Sequence, residues 1–280
     1  MLEDRVNDMS SGKRRLQISL RLFFLLFTCV AIAVGLFAQH IRQRRVAFAA
    51  IRQAGGKVQM GRAAPGRLER WFGAEAFGTV IKVDLREAKA DNGVLAHLAV
   101  LKELKRLDLS NADIDDDGLR RIVHLPLREL WLQETHITDA SAATLSQIKS
   151  LDFLQLNATG VSDAFLERMA SLPELEDLGL RGTHVTGVGM KHLSRHPKLK
   201  KLDVYSTEVD DSGVGDLVAC QSLVRVGLSM TKITNAVFQH LDELPNLTEA
   251  DLTANEPITT EAVLTFEESH PKCDIEWYGK

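Results

Sequence analysis

Several residues in this chain have types and spacings that invite a chemical reading. His136 and His184 fill the same slot of two Thr-His-[Ile/Val]-Thr segments, as a pair of metal ligands would. They stand two 24-residue periods apart, about 10 Å at strand spacing, which is too far to share one ion. Exposed loop histidines are the expectation. Asp113, Asp115, Asp116 and Asp117 crowd one loop, but without EF-hand order or RTX glycines, so they are expected to cap a helix rather than hold calcium. Cys29, Cys220 and Cys273 make no metal spacing and read as buried free thiols. The chain has no P-loop, no dinucleotide glycine fingerprint, no HExxH and no GxSxG. No nucleophile, base or metal site assembles, so the expectation is a non-enzyme without a cofactor.

What remains is recognition chemistry. Trp131, Phe153, Arg181 and Tyr205 occupy solvent-facing positions of four neighbouring predicted strands, within about 15 Å at strand spacing. Aromatics and arginine in such places are the usual material of binding hot spots. Single exposed aromatics are ordinary, but only 6% of this chain is aromatic, which makes three in neighbouring repeats notable. Gly179 is expected to leave a gap among them. These four are the candidate binding residues for a protein or peptide ligand. The alternative is a structural or envelope spacer with no specific ligand. Residues 1–45 carry eight Lys/Arg against three Asp/Glu, and the rest 26 against 35. That acidic body argues against a nucleic-acid partner.

The positions of these side chains follow from a repeat. The frame L-x-x-L-x-L-x-x-T-x-[IV]-[STD] starts at Val80, Leu104, Leu127, Leu151, Leu175, Leu199, Leu223 and Leu247, a near-constant period that marks a solenoid. Leu107 and Leu109, two apart, point to one face of a short strand, leaving Arg106, Asp108 and Ser110 on the other. Three places after the strand comes Ala88, Ala112, Thr135, Thr159, Thr183, Thr207, Thr231 or Asn255. These hydroxyls are expected to bond neighbouring backbone turns. Asp115, Thr138, Ser162, Thr186, Asp210 and Thr234 then stand as N-caps of a second-side helix. Asp116, Asp139, Asp163 and Asp211 follow where a negative charge suits the helix dipole. The predicted class is α/β: a solenoid of about eight repeats.

These motifs resemble bacterial leucine-rich-repeat proteins with the repeat LxxLxLxxTxITDxG, similar to the cysteine-containing type. Upstream, Arg15-Leu-Gln-Ile-Ser-Leu-Arg21, Ala50-Ile-Arg-Gln-Ala-Gly-Gly56 and Trp71-Phe-Gly73 resemble a bacterial family of single-pass membrane proteins carrying such repeats. The resemblance implies a horseshoe fold and a single anchor in the bacterial inner membrane. It implies no activity, and no F-box precedes the repeats.

The anchor also reads from composition. Twenty uncharged residues lie between Arg21 and Arg42, about 30 Å as a helix, which suits a bilayer. The run is long for a signal peptide, and no small-x-small site follows at the usual distance, so an uncleaved signal-anchor is expected. The basic flanks nearly balance and leave the side of the body open. The expected domains are a basic tail (1–21), a transmembrane helix (22–41), a juxtamembrane helix and cap (42–79) and the repeats with their C-terminal cap (80–280). Within 42–79, Gly55-Gly56 should break the helix, and Leu68, Trp71, Phe72 and Phe77 should cover the first repeat. Ile275 and Trp277 should cover the last.

Overall fold

Alternating apolar residues at a fixed period dictate a stack of short parallel strands, and the computed structural model contains that stack. It describes residues 20–61 and 73–278. The chain divides into two compact units between Ile41 and Arg42. Helix α1, Leu20–Ala54, begins in the first. By length and composition it is the one helix among the described residues that is apolar enough to cross a membrane. Its side chains from Phe23 to Phe37 are exposed, and Cys29 among them is not the buried thiol expected, because among the described residues no other element packs on this part of the helix.

Among the described residues the second unit carries ten strands: β1 (Lys57–Met60), β2 (Val80–Asp84), β3 (Arg106–Asp108), β4 (Glu129–Trp131), β5 (Phe153–Gln155), β6 (Asp177–Gly179), β7 (Lys201–Asp203), β8 (Arg225–Gly227), β9 (Glu249–Asp251) and β10 (Asp274–Glu276). They form one sheet in sequence order. From β2 to β10 every pairing is parallel, and Lys82, Arg106, Glu129, Phe153, Asp177, Lys201, Arg225 and Glu249 stand side by side. This is the column that the repeat frame assigns. The leucines between, such as Leu107, Leu130, Leu154 and Leu178, are fully buried. After each of strands β2 to β9 one residue turns left-handed (Glu87, Asn111, Glu134, Ala158, Gly182, Ser206, Met230, Ala254) and swings the chain out of the sheet. Only one of these is glycine, and none is β-branched, the type that tolerates such a φ least.

The threonine column is where expected, but its bonds run differently. Thr135, Thr159, Thr183, Thr207 and Thr231 donate to the carbonyl three residues back in their own turn, at 2.6–2.7 Å. Oγ1 on so short a stem closes most easily on its own loop; Thr231 Oγ1 alone of these five also has a partner in the next turn, Asn255 Oδ1 at 3.4 Å. Asn255 is long enough to cross: Nδ2 donates to Leu228 O at 2.9 Å and Leu252 O at 3.0 Å, and Oδ1 accepts from Thr231 N at 2.9 Å.

On the far side a second parallel ladder joins the turns, for example His136 N to Ile114 O and His184 N to Val161 O, both 2.9 Å. Asp115, Thr138, Ser162, Thr186 and Asp210 are N-caps as expected; Thr234 Oγ1 accepts from Ala236 N, but Ala236 itself is the N-cap of the helix that follows. Asp91 and Thr259 are two caps that the sequence reading did not name. The acidic residues after them do more than face a dipole. Asp163 accepts from Thr186 N (2.8 Å) and Thr186 Oγ1 (2.7 Å) of the next repeat. Asp116 does the same to Thr138, Asp139 to Ser162 and Asp211 to Thr234. Where the next cap is itself Asp115, the preceding slot holds Asn92, whose amide donates to it at 2.6 Å and keeps its carboxyl below the ordinary range. Where the next cap is Asp210 the slot is Gly187, and a Cβ there would meet Asp210 Oδ1 at 2.3 Å. A carboxylate is used only where the partner is a hydroxyl that can donate.

The N-terminal end of the array is closed by the last turns of α1 and by β1, which runs antiparallel to β2. Ala47, Phe48, Ile51 and Ala54 are buried. Arg44, one of the basic residues that follow the uncharged run, is 4% exposed and donates from Nε to Glu75 O at 3.0 Å and also to Gly78 O. Gly55, at φ +94°, ends the helix as expected. Leu68, Trp71 and Phe72, expected to cover the first repeat, lie outside the described residues, as does the side chain of Phe77.

Candidate functional site

The concave sheet face carries the four candidates: Trp131 and Phe153 are outward residues of β4 and β5, and Arg181 and Tyr205 follow two residues past the ends of β6 and β7, in step with the same alternation. They stand as two pairs rather than one group. Trp131 and Phe153, on adjacent strands, have ring centroids 4.8 Å apart at 47°. Lys82 reaches from β2 to place Nζ 5.8 Å from the Trp131 ring. Arg181 lies over the Tyr205 ring at 4.4 Å, and its Nε is 3.6 Å from Asp203. The Tyr205 hydroxyl donates to Met230 Sδ at 2.8 Å. Trp131, Phe153 and Tyr205 are half-buried and Arg181 is exposed.

A polar network separates the pairs. Gln155 Nε2 donates to Asp177 at 3.0 Å, Asn157 Nδ2 donates to Gln155 Oε1 at 3.0 Å, and Asn157 Oδ1 accepts from Arg181 N at 2.9 Å. Gly179 does not leave the expected gap. The Gln155 side chain folds over it, and a Cβ there would fall 1.8 Å from Gln155 Oε1. Glycine is needed so that the polar bridge can form. Lys82 and Met230 were not singled out from the sequence. Lys82 sits two strands from Trp131, and only its length brings it there.

Elsewhere the concave charges are spent on each other. Arg86 binds Asp108 (2.7 Å), Arg106 binds Glu129 (2.7 Å), and Arg225 binds Glu249 (3.0 Å). A shallow cleft of about 230 Å³ is lined by Gln155, Asp177, Lys201, Asp203, Arg225 and Asp251. Burial pushes the carboxyls of Asp177 and Asp203 above their ordinary range. Among the described residues no group of three or more His, Cys, Asp or Glu could hold a metal ion. His136 and His184 are exposed, and His136 Nε2 faces Asp113 at 3.5 Å. Cys220 and Cys273 are buried, and burial pushes each thiol up to about 11, which makes them poor nucleophiles.

Comparisons agree with this architecture. A family model described as leucine-rich repeat matches residues 102–123. No curated relative matches the chain. Among solved structures, internalin C2 of Listeria monocytogenes is similar at 17% identity and a TM-score of 0.52, over 71% of this chain and 81% of that one. A leucine-rich-repeat protein of Leptospira interrogans aligns at 20% identity and a TM-score of 0.49, over 64% of this chain. This chain spans only 44% of the Leptospira protein's length. With its parallel ladder, its convex helices and its likeness to internalin C2, the chain has the leucine-rich-repeat solenoid fold.

Proposed function

We propose that the chain is a membrane-anchored module that binds a protein or peptide on its concave face, with Trp131, Phe153, Arg181 and Tyr205 as the contact residues. Leucine-rich-repeat solenoids are commonly protein-binding scaffolds rather than enzymes, which supports the general class. The observation that carries the finer reading is the Trp131–Phe153 ring pair. It stands on a face whose charges are otherwise largely paired, so it is the apolar surface a partner would bury. The anchor in this reading is residues 22–41, held in the bacterial inner membrane.

A second reading, an envelope spacer without a ligand, draws on those same ion pairs: a face that satisfies itself asks for no partner. Site-specific photo-cross-linking in membranes separates the two. A photoreactive residue at Gln133, beside Trp131, should give a discrete adduct that disappears with Trp131→Ala and Tyr205→Ala, while one at convex Lys191 should not. Equal adducts at both positions, or adducts indifferent to the two substitutions, would favour the spacer.

A further inference from the structure

The C-terminal end of the sheet is unlike the rest of the surface. β10 is the last strand, and among the described residues no strand lies beyond it. Asp274 N donates to Thr248 O at 2.9 Å, and Glu276 O accepts from Leu252 N at 2.8 Å. Alternate residues of a parallel strand bond to one neighbour, so the backbone of Ile275, between these two, presents its N–H and C=O to the open side. Asp274 and Glu276 are exposed, while Ile275 points into the core. Next to this edge is a cleft of about 640 Å³ whose lining includes Ile258, Thr259, Trp277 and Tyr278. Tyr278 is 81% exposed and Leu264, on the last helix, 54%. The whole end is acidic: residues 256–278 hold six carboxylates and one lysine.

We propose that β10 is a docking edge for an extended segment of another protein with Lys or Arg at alternate positions, which adds to the sheet as a further strand. Backbone groups of Ile275 supply the pairing, and Asp274 and Glu276 meet the cations on the solvent face. Apolar residues of the segment lie toward the Trp277–Tyr278 cleft. A second copy pairing through its own β10 is disfavoured by the same charges. In an antiparallel two-fold pair centred on Ile275, Asp274 would stand opposite Glu276 of the other copy, a like-charge contact of the kind that protects natural edges. This surface is separate from the concave aromatics.

The test uses the full chain in neutral detergent and a fluorescein-labelled octapeptide alternating lysine and valine. Saturable binding by anisotropy is expected, with slowed hydrogen exchange at the Ile275 amide. The double variant Asp274→Lys/Glu276→Lys should lose about tenfold in affinity or more, since two attractive cross-strand pairs become repulsive, and should instead take the glutamate–valine peptide. The lysine peptide N-methylated at alternate positions should not bind, because it cannot complete the ladder. Trp131→Ala should leave binding unchanged. Equal binding of the N-methylated peptide would reduce the contact to charge adhesion and overturn the proposal. So would an unaffected double variant, which moves the site elsewhere, or Ile275 protection that rises with protein concentration alone, which assigns the edge to a second copy.

Discussion

The two ends of the array are closed by different physics. At the N-terminal end the final turns of α1 lay Ala47 and Ile51, both 0% exposed, over the first repeat, and β1 adds an antiparallel strand. At the C-terminal end the helix Thr260–Ser269 contributes Val263 and Phe266, but the neighbouring Leu264 and Tyr278 stay in solvent. Polar bonding takes over there, with Asn255 joining Leu228, Leu252 and Thr231. A terminal repeat has no neighbour for its inner face. The difference teaches that this face can be covered by apolar surface from outside, or tied by its own side chains and left partly open. The second solution is the one that leaves an edge for a partner.

The sharpest way to break this comparison is at Ile51. Truncating it to Ala opens a cavity in the better-sealed end and should cost about 4 kcal/mol. Ile275→Ala, at 7% exposure and beside open space, should cost roughly half of that, because the site can relax. Thermal or denaturant melts of the two variants decide it; equal losses would mean that the ends are sealed alike.

Acid should act on the part of the array away from the N-terminal seal. His196 is 3% exposed, and its Nδ1 accepts the Leu172 N–H at 3.2 Å. Burial pushes its pKa from the ordinary 6.5 down to about 4. In the unfolded chain the imidazole takes up a proton near pH 6.5, and in the folded chain it does not until about pH 4. Stability therefore falls as pH drops through that window, by on the order of 3 kcal/mol. Stability measured from pH 7 to 4 should show this slope in the native chain and lose it in His196→Gln. The early loss should appear in hydrogen exchange of β7 to β10 before β2 and β3.

Much of this was legible in the sequence, for a physical reason: eight copies of one frame average out local ambiguity. Strand columns, N-caps and the Gly55 helix stop all follow from periodicity and from single-residue chemistry. Features that depend on a partner 22–25 residues away do not. Asp163 satisfied a dipole argument on its own, so nothing pointed to its bonds with Thr186, although the exchange of Asp for Asn92 or Gly187 ahead of an aspartate cap was a readable signal. Arg44 follows an apolar run as a membrane flank would, and only tertiary structure reveals that it binds two carbonyls. β1, between Gly55-Gly56 and Gly61, has only four residues and lies outside the repeat frame, so its alternation is too short to stand out. On the concave face the columns were legible, but the splitting of the four candidates into two pairs depends on how far Gln155 and Lys82 reach.

Asn255 tests the polar half of the comparison directly. Asn255→Ala removes partners from Leu228 O, Leu252 O and Thr231 N in a site only 4% exposed, and should cost about 2 kcal/mol. Fraying of β9 and β10 in hydrogen exchange should accompany the loss, with β2 and β3 unchanged. A uniform loss across the array would mean that Asn255 is simply one more core position.

The smallest effect belongs to the middle, where every repeat has two neighbours. Thr183 Oγ1 donates to Leu180 O at 2.6 Å, and the Thr183 amide also donates there, at 3.3 Å. Thr183→Val keeps the shape and removes the hydroxyl, but the carbonyl keeps its backbone partner. The expected cost is therefore about 1 kcal/mol, the net worth of one bond rather than the penalty of an orphaned group. Ala88 and Ala112 fill the same slot without a hydroxyl, next to the end that is sealed by burial, which fits a modest role. A melt of Thr183→Val beside Asn255→Ala is the measurement. If the valine variant lost as much as the asparagine variant, hydroxyls would be holding the whole array and the polar closure would not be special to the C-terminal end.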